Sequence, residues 1–221
     1  LEFRRVLSDL GLLDRATIQY TSGTTGFPKG VVLTHSYWLT FARIGAMEPA
    51  RLNVERVFFA QPFFYMAGQA VFLFGLTMGA TVSIAPQLSL KRFMPWIRET
   101  RAQYTLATNA ILKQDLPPED GVSELKFIHV SASYSAETHA EIERRFGAPI
   151  RNIYGMTENG IALYVPLNAP QAIGPSGAGV VAPFREVMIA GPDGKPVPDG
   201  EIGEICVRGP GSTIVEYHNK P

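Results

Sequence analysis

From Val57 to Leu90 the chain carries no formally charged side chain, but Gln61-Pro62, Gly68-Gln69, Gly75, Thr77 and Gly79 interrupt the run. No stretch of about 18 to 20 purely apolar residues survives those breaks, so no membrane span is expected. Arg56 to Gln61 reads as a strand, Met66 to Met78 as a helix apolar on all sides, and Ala80 to Ala85 as a second strand. Together they predict a buried βαβ unit. The pattern then repeats. Leu90, Phe93 and Ile97 mark a helix over Leu90 to Arg101, with a kink expected at Pro95, and Gln103 to Ala107 reads as a strand. Leu125 to Ser131 is β-like, and the helix after it is well punctuated. Ser135 can cap its start, Glu137 and Arg144-Arg145 suit the two ends of its dipole, Ile142 and Phe146 share a face, and Gly147 stops it. Ile150 to Tyr154 follows as a strand. This alternation predicts an α/β fold, a layered βαβ sheet with flanking helices and ligands at loops beyond the strand ends.

After about Leu167 the texture changes. Pro, Gly and Ala crowd Asn168 to Pro183, and short β-like runs at Glu186 to Ile189 and Glu204 to Arg208 flank a turn-rich stretch from Gly191 to Gly200. The expected organisation is an α/β part over 1–167 and an incomplete small β-rich subdomain over 168–221. The chain starts at Leu1 and stops at Pro221 without a closing element. It is expected to be a piece of a longer protein, with apolar faces and strand edges that favour a homodimer through truncated surfaces.

The 221 residues include 20 Lys+Arg and 20 Asp+Glu, a balance that argues against a general affinity for nucleic acid or anionic membrane. Any phosphate binding must then be local. Cys206 is the single cysteine, which excludes an internal disulfide and a Cys-rich zinc site and points to a reducing, cytoplasmic home. His35, His129, His139 and His218 lack metal-ligand spacing.

The local phosphate chemistry lies between two β-like segments, Thr17 to Tyr20 and Val31 to Leu33. Gly23, Gly26 and Gly30 let backbone amides approach an anion, Thr21, Ser22, Thr24 and Thr25 add hydroxyl donors, and Lys29 adds a mobile point charge. Such a loop suits a polyphosphate. Its spacing is not G-x-x-x-x-G-K-[ST], because Pro28 precedes Lys29 and Gly30 follows it. A P-loop kinase or ATPase is therefore disfavoured.

The string Tyr20-Thr-Ser-Gly-Thr-Thr-Gly-Phe-Pro-Lys-Gly30 resembles the signature of the adenylate-forming (AMP-binding) enzymes, among them acyl-CoA synthetases. Further blocks follow in that family's order: Gln61 to Gly68, Val130 to Ser135, Asn152-Ile-Tyr-Gly-Met-Thr-Glu158, and Gly200 to Pro210 with Tyr217-His-Asn219. The resemblance covers nearly the whole chain. It implies an acyl-CoA synthetase-like fold, truncated to a central piece of the large N-terminal domain, and a ligase that uses a carboxylic acid, ATP, Mg²⁺ and coenzyme A. The carboxylate attacks the α-phosphate to form an acyl-adenylate, and the acyl group then passes to a thiol.

Residue by residue, the resemblance implies that Thr21, Ser22, Gly23, Thr24, Thr25, Gly26 and Lys29 hold the β and γ phosphates. Ala132, Ser133 and Tyr134, with Asn152, Ile153, Tyr154, Gly155 and Met156, would line the nucleotide, Tyr134 standing where relatives carry proline. Thr157 would bond the α-phosphate and Glu158 would hold Mg²⁺, so Lys29, Thr157 and Glu158 are the catalytic candidates. Tyr65, Ala67, Gly68, Met156, Gly160 and Ile161 would line an acyl pocket, with Tyr65 standing where many relatives have histidine. The ribose-binding aspartate, the hinge and the lysine-bearing C-terminal domain of relatives lie beyond this chain, so the piece alone is expected to be inactive. Two alternatives stay open, an adenylation domain serving a carrier protein and a non-catalytic nucleotide-binding module.

Overall fold

The computed structural model describes residues 9–21, 27–114, 124–174, 177–211 and 216–218. In chain order its elements are β1 (Arg15–Tyr20), β2 (Gly30–Thr34), α1 (His35–Arg51), β3 (Arg56–Phe59), α2 (Met66–Met78), β4 (Thr81–Ile84), α3 (Leu90–Glu99), β5 (Tyr104–Ala107), α4 (Asn109–Leu112), β6 (Phe127–Val130), α5 (Ala136–Phe146), β7 (Ile150–Met156), β8 (Gly160–Tyr164), β9 (Val180–Val181), β10 (Glu186–Ala190) and β11 (Glu204–Arg208). Backbone packing sorts them into two units. One comprises Leu1–Phe41, Met156–Gly160 and Phe184–Pro221; the other comprises Ala42–Gly155 and Ile161–Pro183. A boundary at 167/168 falls inside the last segment of the second unit.

The second unit is built on a sheet of order β4-β3-β5-β6-β7-β8-β9. Its first five strands run parallel, and β9 pairs antiparallel with β8. Parallel neighbours need crossovers that cover the sheet, and the helices between strands supply them. On one face Phe58, Phe93, Ile97, Ile128, Ile142 and Phe146 belong to a continuous apolar cluster. The helix ends follow the sequence signals. Ser135 Oγ accepts from the Thr138 amide at 3.2 Å, and Gly147 closes α5 at φ 65°, a left-handed turn that glycine takes without a Cβ penalty. The α3 helix runs through Pro95 to Glu99.

One expectation fails at the rim. The βαβ unit of β3, α2 and β4 is not buried on all sides, because β4 is the edge strand of the sheet. Thr81 and Ile84 on β4 and Leu76 on α2 are exposed. Apolar composition here reflects one covered face, formed by Ala70, Val71 and Phe74, and not a fully enclosed helix. Among the described residues no helix is long and apolar enough to cross a membrane.

The other face of the sheet holds a buried polar pair. The Tyr104 hydroxyl lies 2.8 Å from His129 Nδ1, and the Phe127 ring packs edge-on against the imidazole at 4.8 Å. Burial pushes the His129 pKa from 6.5 down to about 3, so the ring is neutral near pH 7 and shares one hydrogen bond with the phenol. The folded value lies below the unfolded one, so the unfolded chain binds more protons between the two. The contribution is complete above pH 6.5 and is lost as pH falls toward 3, at up to about 1.4 kcal/mol per pH unit. Urea unfolding at pH 7 and pH 5 is expected to show this loss. A Tyr104→Phe/His129→Leu double variant, which leaves no orphan hydroxyl, is expected to show a loss smaller by about 2 kcal/mol.

Candidate functional site

In the first unit β1 and β2 form an antiparallel hairpin with Tyr20 opposite Gly30. The Thr21 amide donates to the Lys29 carbonyl at 3.0 Å, which closes the ends of the Gly/Thr loop. Ser22, Gly23, Thr24, Thr25 and Gly26 lie outside the described residues. Residues 216–218 run antiparallel along the free edge of β2. The Val32 amide donates to the Glu216 carbonyl at 3.0 Å, the His218 amide donates to the Gly30 carbonyl at 2.6 Å, and Val31 bridges to Tyr217. A glycine at 30 eases the packing of both neighbours. A Cβ there would stand 2.9 Å from Ile18 Cγ2 and 3.2 Å from His218 Cβ.

The consequence is a cluster of three side chains. Lys29 Nζ lies 5.2 Å from the centroid of the Tyr217 ring, and the Tyr217 hydroxyl donates to Glu158 Oε1 at 3.0 Å. A cation over an aromatic face at that range is attracted by the ring quadrupole. Burial and then the Glu158 carboxylate push the Tyr217 phenol above its ordinary value, so it stays protonated and donates. Two of the candidates, Lys29 and Glu158, thus share one partner.

Thr157 and Glu158 occupy the turn after β7. The Asn159 amide donates to the Met156 carbonyl at 3.2 Å, and the Met156 amide donates back to Asn159 Oδ1 at 3.2 Å. Arg185 fixes the same turn from outside, with Nη2 donating to the Asn159 carbonyl at 3.2 Å and Nη1 to the Pro210 carbonyl at 2.7 Å. Gly160 ends the turn at φ 67°, where a side chain would be strained. Asn159, Arg185 and Tyr217 hold the candidates in place, and none was assigned a role from sequence. Arg185 does leave a signal: its apolar neighbours Ala182, Pro183, Phe184 and Val187 suggest a buried cation, which needs partners.

In the second unit Ala132, Ser133, Tyr134 and Asn152 line one recess, with Val130 and His139 among its other walls. Ala132 to Tyr134 link β6 to α5, and Asn152 sits on the neighbouring strand β7, whose Nδ2 donates to Ser133 Oγ at 3.1 Å. The Tyr134 hydroxyl donates to Asn109 Oδ1, so tyrosine at this position ties the link to α4. His139 Nε2 lies 3.0 Å from the Ile150 carbonyl, a structural contact. Ile153, Tyr154 and Gly155 continue β7, with Tyr154 38% exposed.

Of the acyl-pocket candidates in this unit, Tyr65 precedes α2 as its N-cap residue and is exposed, whereas Ile161 on β8 is buried. Ala67 and Gly68 belong to the first turn of α2. Gly68 has a local reason to lack a side chain, since a Cβ would stand 2.6 Å from the Pro62 carbonyl oxygen. Met156, in the first unit, is exposed.

Comparison with known proteins gives this geometry its context. Over 216 residues the chain is 32% identical to a crotonobetaine/carnitine–CoA ligase of Salmonella paratyphi B, covering 94% of this chain and 41% of that protein. The chain therefore spans well under half the length of the curated relatives it matches. The inhibitor-bound N-terminal domain of FACL13 from Mycobacterium tuberculosis superposes with a TM-score of 0.79 at 26% identity, covering 96% of this chain and 54% of that one. An O-succinylbenzoate coenzyme A synthetase from Bacillus subtilis, in complex with AMP, gives a TM-score of 0.77 at 26% identity, covering 95% and 44%. A single family model, AMP-binding enzyme, spans residues 8–217, and the chain belongs to that family.

Proposed function

We propose that the protein carrying this chain is an ATP-dependent ligase that activates a carboxylic acid as an acyl-adenylate and then forms its coenzyme A thioester. The observation that carries the reading is that a lysine at the closing end of the Gly/Thr loop and a carboxylate in the turn after β7 meet the same residue, Tyr217, within one unit. In the first step a carboxylate oxygen attacks the α-phosphorus. The bond from that phosphorus to the bridging oxygen breaks, and pyrophosphate leaves with the electron pair. No general base is needed, because the carboxylate is already ionised at pH 7. The obstacle is charge. Lys29 lies at the end of a loop of hydroxyls and glycines and offers a mobile cation to the departing pyrophosphate. Thr157 offers a hydroxyl to the α-phosphate, and Asn152 an amide that reads the adenine edge. In the second step a thiol attacks the acyl carbon and AMP leaves; the coenzyme A acceptor is supported by the names of the relatives.

The donor set fits Mg²⁺. Among the described residues no group of three or more His, Cys, Asp or Glu could hold a metal. Mg²⁺ needs no such cage, since it keeps several waters and takes one or two carboxylates plus substrate phosphates. Glu158 would hold it. Bound there, it supplies positive charge to phosphate oxygens. The acyl-pocket set Tyr65, Ala67, Gly68, Met156, Gly160 and Ile161 carries no formal charge, which suits an apolar or aromatic acid.

The test is product analysis with the natural full-length protein, ATP, Mg²⁺ and a panel of carboxylic acids. Acid-dependent pyrophosphate and AMP, with a thioester when coenzyme A is added, is the expected outcome. Release of ADP and phosphate, or pyrophosphate independent of any acid, would sink the reading.

A further inference from the structure

We propose that Tyr217 is a positioning residue that keeps Lys29 and Glu158 apart and separately satisfied, its ring face holding the ammonium and its hydroxyl the carboxylate. The proposal rests on the ligase reading for what the two charges do, but the geometry stands on its own. A lysine and a glutamate on neighbouring loops would otherwise neutralise each other. Such an ion pair would have to be broken before either could serve a phosphate or a cation, and its loss would be charged against ligand binding. A tyrosine between them solves this with one neutral side chain, because its ring face attracts cations and its edge hydroxyl donates to anions.

The main chain fixes that ring from both sides. Glu216 and His218 hydrogen-bond to Val32 and Gly30 at 3.0 and 2.6 Å, so Tyr217 is carried on a strand segment zipped to the loop's own exit strand. Glu158 approaches from the turn after β7, whose Asn159 is anchored by Arg185. The hydroxyl contact thus ties the turn bearing the carboxylate to the hairpin bearing the lysine. Both charges belong to one unit.

The two halves of the ring's role can be separated. Tyr217→Phe keeps the aromatic face and removes the donor to Glu158. Tyr217→Leu removes both. The readout is the affinity of the natural full-length protein for α,β-methylene-ATP, a probe that cannot be cleaved, measured by calorimetry with Mg²⁺ and again with EDTA. Tyr217→Phe is expected to bind the probe roughly 3- to 10-fold more weakly with Mg²⁺, the size of one hydrogen bond, and as well as the wild type in EDTA. Tyr217→Leu is expected to lose a further several-fold in both conditions, because Lys29 then loses its resting place and pairs with Glu158.

A merely structural tyrosine would weaken binding equally with and without Mg²⁺, and that result overturns the proposal. So does a Tyr217→Phe variant equal to wild type, or a Tyr217→Leu variant equal to Tyr217→Phe. Circular dichroism melts of both variants, expected to match the wild type within a few degrees, separate these outcomes from unfolding. If the wild type binds the probe and the variants split as described but no acid-dependent pyrophosphate forms, the ligase reading fails and the role of Tyr217 remains.

Discussion

Lys29→Ala is expected to lower kcat/KM for acid-dependent pyrophosphate release by the natural full-length protein roughly 10²- to 10³-fold, the usual scale for removing one aimed charge from a developing anion. The effect should exceed that of a surface lysine, whose removal shifts such a rate within about twofold. Its size follows from the step proposed to be hard. Two anions must meet, and negative charge then builds on the leaving pyrophosphate, so an ammonium in that place gains more in the transition state than in the ground state. The fold should tolerate the change. The contact of residue 29 that closes the loop is made by its backbone carbonyl, which alanine retains. Lys29→Arg preserves the charge but carries a planar fork in place of a compact ammonium, and is expected to recover only part of the loss. Steady-state kinetics with ATP varied at saturating acid decides the matter. A Lys29→Ala variant within a few-fold of wild type would show that the Lys29 ammonium does not meet the departing pyrophosphate.

How much of this could be read from the chain differs by element. The sequence pattern places a helix at Met66–Met78 and the structure has α2 over the same residues, because Gly79 marks its C-terminus and the run before it is unbroken by charge. α5 was legible for the same kind of reason, its cap and stop being Ser135 and Gly147. The 17-residue α1 has no counterpart among the elements that the sequence predicts, although its burial follows a helical period. Its exposed stripe runs through Leu39, Arg43 and Ala50, and the first and last of these are apolar, so polarity does not mark the outer face. Gly45 and Pro49 further lower its apparent propensity. β8 escaped notice because it begins one turn after the block quoted for its chemistry.

The candidate site divides along a different line. The family resemblance of the motif strings points to Lys29, Thr157 and Glu158. It does not supply the partners. Tyr217 is 188 positions from Lys29 and meets it only because residues 216–218 pair with β2. Arg185 is 26 positions from the carbonyl it binds. Such pairings depend on tertiary register, which no local pattern contains. Glycines show the same split. Gly68 falls in the block assigned to an acyl pocket, and the structure adds a local reason for glycine there, since a Cβ would collide with the carbonyls of Gln61 and Pro62.

Gly45→Ala is expected to destabilise the protein by about 2 to 3 kcal/mol, although helix propensity alone predicts a gain of about 1 kcal/mol. Packing wins here by distance. A Cβ at position 45 of α1 would stand 2.1 Å from Phe74 Cζ, with Cε1 at 2.4 Å and Cε2 at 2.5 Å. The end of one rigid ring therefore points at the glycine, and rotation about the ring axis leaves Cζ where it is. Phe74 is 1% exposed, and its other side meets the His129 imidazole at 6.5 Å, so the ring has little space into which to retreat. Phe74→Leu deletes the colliding atoms. Made alone it is expected to destabilise by about 1 kcal/mol, and combined with Gly45→Ala it should relieve most of the clash, giving a favourable coupling of about 1 to 2 kcal/mol in a double-mutant cycle. Urea unfolding of the four proteins measures every corner. A Gly45→Ala variant that is more stable than wild type would mean that α1 does not pack against Phe74 at closest approach, and the seating of that helix on α2 would have to be redrawn.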